Sequence, residues 1–165
     1  MGDLLDIIGR LERIPGPVAL ATLLEGEGAG SRRILESAGG APGTALEEAV
    51  QGVLVSGRSQ VLADALLERM VPGKLPPWVH FCAQVLRRRE ACVLVTVGLV
   101  VGNVPYAVGD RFVYDARNHG LLPMDGRFSL ELQRACAQAR EAGGPAWRRV
   151  DQPSGALGVA LEPLP

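Results

Sequence analysis

The residues best suited to meet a ligand lie in one short stretch, Gly102-Asn103-Val104-Pro105-Tyr106-Ala107-Val108-Gly109, followed at once by Asp110 and Arg111. Glycine at both ends permits positive φ at two points, and Pro105 fixes φ at a third. A loop shaped that tightly is either a plain turn or a cradle for a ligand. Other chemistries have less support. The three cysteines, Cys82, Cys92 and Cys136, include no Cys-x-x-Cys pair, so neither a zinc site nor a disulfide framework is indicated. Cys92 and Cys136 fall in apolar patterns and read as core thiols. His80 and His119 are isolated, and no nucleophile is paired with a base; no catalytic residue, no metal ligand and no turnover of the chain's own is assigned.

The elements that must position this loop flank it. Ala91 to Val101 is an eleven-residue apolar run, rich in Val, with Gly98 rather than a charge inside it, which suits a strand covered on both faces. Arg111 to Asp115 is the returning strand. Upstream, Asp3 to Ile14 has the spacing of an amphipathic helix, stopped by Pro15-Gly16-Pro17. Val18 to Leu24 and Arg32 to Ser37 are strands. Thr44 and Glu47 form a capping box that starts a helix at Ala45, and Gly57 closes it near Val55. Ser59 to Leu62 is extended, and Ala63 to Met70 is open between strand and helix, since Ala, Leu and Glu favour a helix locally. After the linker at 71–77 a helix begins at Pro77 or Trp78. It ends in Arg87-Arg88-Arg89, cations favoured by the helix dipole. Downstream, Leu121 to Met124 is a short extended piece and Asp125-Gly126 a turn. Ser129 is the N-cap of a helix with Leu130, Leu132, Ala135, Cys136 and Ala139 on its buried stripe, ended by Gly143-Gly144-Pro145. Trp147 to Val150 and Ala156 to Leu161 are the closing strands.

Composition bounds the function. The 165 residues are 47% hydrophobic and 21% charged, enough for one good core. A net charge of −1 and an aromatic content of 4% provide neither the field nor the stacking rings that nucleic-acid binding needs. The longest apolar run is far short of the roughly 20 residues that span a bilayer, and Met-Gly-Asp-Leu-Leu-Asp is no secretory signal, so a cytoplasmic protein off the membrane is expected.

The order helix, strand, strand, helix, strand occurs twice. Val18-Ala19-Leu20-Ala21-Thr22-Leu23 echoes Cys92-Val93-Leu94-Val95-Thr96-Val97 at an offset of 74, and Ala45-Leu46-Glu47 echoes Ser129-Leu130-Glu131 at 84. The second copy therefore carries ten more residues, among them the Gly-x-x-Pro loop. The expected architecture is α+β: two such units, 1–70 and 78–165, in one mixed-sheet globule with pseudo-twofold symmetry.

These features resemble the N-terminal domain of the XdhC/CoxI family of accessory proteins. Its pattern is an apolar strand, Gly-Ser-x-Pro-Arg-x-x-Gly, a short strand, a glycine turn, and Gly-Gly-Cys-Leu-Glu opening a helix. Here Gly102, Pro105 and Gly109 fall at the family's spacing, Phe112 takes its usual Met position, and Leu130-Glu131 match its Leu-Glu. Gly43-Thr44-Ala45-Leu46-Glu47 is the worn counterpart in the first copy, and Gly158 to Pro163 resembles the strand that closes the family's domain. Ser129 and Ala45 replace the motif's Cys, Asn103 its Ser and Tyr106 its Arg. No strand leads into Gly-x-Gly-x-x-Gly, so the Rossmann domain that often follows in the family is not expected within these residues.

The resemblance implies binding of molybdenum cofactor and its delivery to a molybdenum hydroxylase of the xanthine or carbon monoxide dehydrogenase type. The implied site combines Gly102, Asn103, Pro105 and Gly109 of the loop, the cations Arg111 and Arg127, and the helix start at Ser129, which together can meet the cofactor's phosphate. Each also has a plain role, as turn former, solvated strand residue or cap. The alternative is a degenerate scaffold of the same fold that binds a protein partner. A hydroxylase client and a homodimer are the protein partners left open.

Overall fold

The computed structural model describes residues 4–36, 43–115, 120–122 and 130–164. The chain is α+β and divides into two compact units, Met1–His80 and Phe81–Pro165.

The first unit contains α1 (Leu4–Leu11), β1 (Val18–Leu23), β2 (Arg32–Leu35), α2 (Ala45–Ser56), β3 (Gln60–Leu62) and β4 (Ala65–Met70). Its sheet has the order β2-β1-β4-β3. α2 starts where the sequence indicates: Thr44 is extended, and its hydroxyl accepts the N–H of Glu47 at 3.2 Å. Gly57 ends the helix in the left-handed region at φ 70, with its N–H on the carbonyl of Val53. The buried face of α2, Ala49, Val50 and Val53, packs on Ala19 and Leu67 of the sheet. Residues 63–70 resolve as the turn into β4 and β4 itself, paired with β1 from Val18↔Met70 to Leu23↔Ala65.

The division between the units falls within α3 (Pro77–Arg87). The second unit continues with β5 (Cys92–Gly102), β6 (Arg111–Asp115), β7 (Gly120–Leu122), α4 (Leu130–Ala142), β8 (Ala146–Gln152) and β9 (Gly155–Leu164), in the sheet order β7-β6-β5-β9-β8. Leu132, Cys136 and Ala139 of α4 close over Val93, Val95 and Val97 of β5, with Leu157, Val159 and Leu161 of β9 beside them. Fully burying a side chain such as Leu132, 0% exposed, is worth about 1.5–3 kcal/mol, so this face is a large part of the unit's stability.

The repeat is visible in the topology. In each unit the first strand lies between the second and the last, and the penultimate strand flanks the last; β7 is an addition beyond β6. Thr22 of β1 and Thr96 of β5 hold equivalent places, opposite Arg32 and Arg111. The mixed sheet expected from the sequence is replaced by two sheets in which every pairing is antiparallel. The pairs β1–β2, β3–β4, β5–β6 and β8–β9 follow each other directly in the chain as hairpins, and hairpins connect only antiparallel strands.

One irregularity alters which side chains face the core. The β5–β9 register shifts between Val97 and Leu99, where Gly98 is an extra residue. Before this bulge Val93, Val95 and Val97 point to α4; beyond it Val100 joins that core, and Leu99 and Val101 turn to the opposite face, 51% and 46% exposed.

No helix among the described residues is long and apolar enough to cross a membrane.

Candidate functional site

The loop from Gly102 to Gly109 is built from its own backbone outward. Gly102 and Gly109 both adopt positive φ, 79 and 96. Gly109 donates its N–H to the carbonyl of Val97 at 2.8 Å, and Val97 donates to Asp110 at 2.9 Å, which closes the hairpin. Inside the loop the Asp110 carboxylate accepts the N–H of Ala107 at 2.9 Å, and Asp110 donates back to the Ala107 carbonyl at 3.1 Å. Asn103 donates its N–H to Ser154, in the turn between β8 and β9, at 3.1 Å. Gly102 lies so close to that turn that a Cβ would come 2.5 Å from the Ser154 carbonyl oxygen. Its lack of a side chain is therefore required by the fold.

The side chains divide between surface and interior. Gly102, Asn103 and Pro105 are exposed and Gly109 is half-buried. Tyr106, where the resembling pattern has Arg, is buried and sets its ring edge-on to Phe112, centroids 5.9 Å apart. Arg111 is 7% exposed, on the sheet face shared with Thr96, and is engaged within the protein. The structure thus gathers Gly102, Asn103, Pro105, Gly109 and Arg111 on one hairpin, with the cation turned inward. Arg127 and Ser129 lie outside the described residues. α4 begins at Leu130, which is 69% exposed.

The first copy repeats this hairpin in a shorter form. Gly30 donates to Leu23 at 2.8 Å and Leu23 donates to Ser31 at 3.0 Å, the same closure as Gly109, Val97 and Asp110. Gly30 has φ 88. From Thr22 to Arg32 the chain advances ten residues, and from Thr96 to Arg111 fifteen, so half of the second copy's extra length lies here. Arg32 is the counterpart of Arg111, and its guanidinium donates to the Gly30 carbonyl at 2.8 Å.

Sequence reasoning passed over two carboxylates. Glu68 stands opposite Leu20 and Glu162 opposite Leu94, so each sheet carries a Thr, an Arg and a Glu on the face away from α2 or α4. Glu68 is only 6% exposed. The signal was present as a further echo, Leu67-Glu68 against Leu161-Glu162, 94 residues apart. Ionised groups so placed cost several kcal/mol of desolvation unless partnered.

The thiols are chemically quiet. Burial pushes Cys92 up to about 12, with Cys82, Asp115, Glu162 and Glu90 adding to the effect, and burial alone pushes Cys136 up to about 12. Both are therefore neutral thiols at ordinary pH, and the thiol is a far weaker nucleophile than the thiolate. Among the described residues no group of three or more His, Cys, Asp or Glu is placed to hold a metal ion.

A groove of about 130 Å³ lies elsewhere in the second unit, between Leu99 and Val101 of β5, Ala156 and Gly158 of β9, and Trp147 and Arg149 of β8. No protein-family model matches the chain, and no curated protein matches its sequence, so the likeness to the XdhC/CoxI pattern rests on its own residues and the order of their elements.

Proposed function

We propose that this chain is a non-catalytic accessory protein on a duplicated XdhC/CoxI-like fold, serving a molybdenum hydroxylase as a scaffold that binds a protein partner. The observation that carries this reading is the interior placement of Tyr106, at the motif's Arg position, and of Arg111, just beyond the loop. Tyr106 packs against Phe112, and Arg111, one of the two cations of the implied site, is 7% exposed beside Thr96, so both side chains belong to the core. Among the described residues the fit to molybdenum cofactor is therefore poor. A cofactor-carrying role is the second reading, favoured by the exposure of Gly102, Asn103 and Pro105, and it would draw on Gly109, Arg127 and Ser129 as well.

Calorimetric titration of the full chain with molybdopterin, in parallel with capture of a xanthine or carbon monoxide dehydrogenase on the immobilised chain, separates the two. Capture without heat from molybdopterin supports the scaffold. Saturable molybdopterin binding, weakened by about 1–3 kcal/mol in Arg127→Ala, supports the carrier. Neither signal would overturn both.

A further inference from the structure

The bulge at Gly98 has a consequence on the face of the sheet away from α4. It turns Leu99 and Val101 to solvent, at 51% and 46% exposure, from a strand whose first seven residues are buried. Bulges re-aim side chains in this way at functional edges. Across from them Trp147 lies over Gly158: a Cβ on Gly158 would come 2.4 Å from Trp147 Cζ2 and 2.9 Å from Leu99 Cβ. Trp147 and Leu99 thus cover Gly158, and all three line the groove of about 130 Å³. That volume suits one aliphatic or aromatic side chain.

Two charges border the groove. Arg149 and Asp151 are alternate residues of β8 on the same face as Trp147, paired at 3.2 Å with side chains 73% and 74% exposed. So open a pair contributes little by itself. The face therefore holds a hole, two apolar projections that could fill such a hole, one cation and one anion. A surface with both halves of every contact is complementary to itself, as a twofold interface requires. Its charges cancel, so a copy of the chain is not repelled, whereas a partner of one sign meets a like charge.

We propose that this face is the contact between two copies of the chain, related by a twofold axis. Leu99 and Val101 of each copy meet the groove of the other, and Arg149 of each meets the second copy's Asp151.

Sedimentation velocity of the full chain over a range of concentrations tests this. The wild type is expected to dimerise, and Leu99→Glu, at a site already half exposed, to self-associate at least about tenfold more weakly with an unchanged far-ultraviolet circular dichroism spectrum. Should that variant misfold, Val101→Lys makes the same test. Arg149→Asp and Asp151→Arg should each weaken the dimer, and an equimolar mixture of the two should restore it, because each then supplies the charge the other lacks. A wild type that stays monomeric up to its solubility limit overturns the proposal. So does a dimer indifferent to Leu99→Glu, or charge variants whose mixture does not recover.

Discussion

Alanine at Gly155 should be among the most damaging single substitutions in the second unit, and three glycines together show why. Gly155 stands opposite Gly102 at the end of the β5–β9 ladder. A Cβ there would come 1.9 Å from the Val101 carbonyl oxygen and 3.1 Å from Gly102 Cα. Both neighbours are backbone, so no side chain can swing away; the strands must part by about 1 Å, at the point where Asn103 is tied to Ser154. Overpacking of this kind costs about 1–3 kcal/mol, and each ladder hydrogen bond lost adds about 1, for an expected total of about 3–4 kcal/mol. Gly143 isolates the other cost: its φ is 71 and nothing lies within 4 Å of an added Cβ, so Gly143→Ala should lose only about 1–2 kcal/mol from left-handed strain. Gly102→Ala combines both, with φ 79 and a Cβ 2.5 Å from the Ser154 oxygen. Urea unfolding, followed through Trp147 in a Trp78→Phe background, reports on the sheet concerned. If Gly155→Ala costs no more than Gly143→Ala, the close approach of the two strands is not what requires glycine. The case that the fold rather than a ligand accounts for Gly102 would then fail too.

Ala63 occupies the first position of the two-residue β3–β4 turn at φ 52, a seat that favours glycine, so Ala63→Gly should raise stability by about 0.5–1 kcal/mol in the same urea assay. Arg69 donates to the Leu54 carbonyl at 3.3 Å near the C-terminus of α2; Arg69→Ala should cost about 0.5–1 kcal/mol, less at high salt, measured by thermal melting at two ionic strengths. The unfolded chain releases its thiol protons from about pH 8.5, while Cys92 and Cys136 hold theirs in the native state up to about 12. Stability should therefore be unaffected by these groups below pH 8 and fall as pH rises from about 9 toward 12. Melting temperatures against pH should show Cys136→Ala flattening that fall.

Much of the fold was legible because periodicity and capping act over a few residues. The boundaries of α2 follow from Thr44, Glu47 and Gly57, and the echo of Thr22 in Thr96 anticipates the shared strand order of the two sheets. The positive φ of Gly102 and Gly109 was likewise implied by their residue types. Residues 63–70 were not settled, since Ala-Leu-Leu-Glu prefers a helix in isolation; pairing with β1 along its whole length overrides that preference. For the candidate site the decisive fact was the face to which Arg111 turns, set by its register opposite Thr96, a contact across fifteen residues that composition does not encode. Gly98 was a local sign of a bulge, yet its effect depends on β9. Only when Val97 meets Val159 and Leu99 meets Gly158 does the alternation along β5 reverse. The same apolar run then supplies a core on one side of the sheet and an exposed groove on the other, because strand alternation has a period of two and one unpaired residue inverts every side chain that follows it.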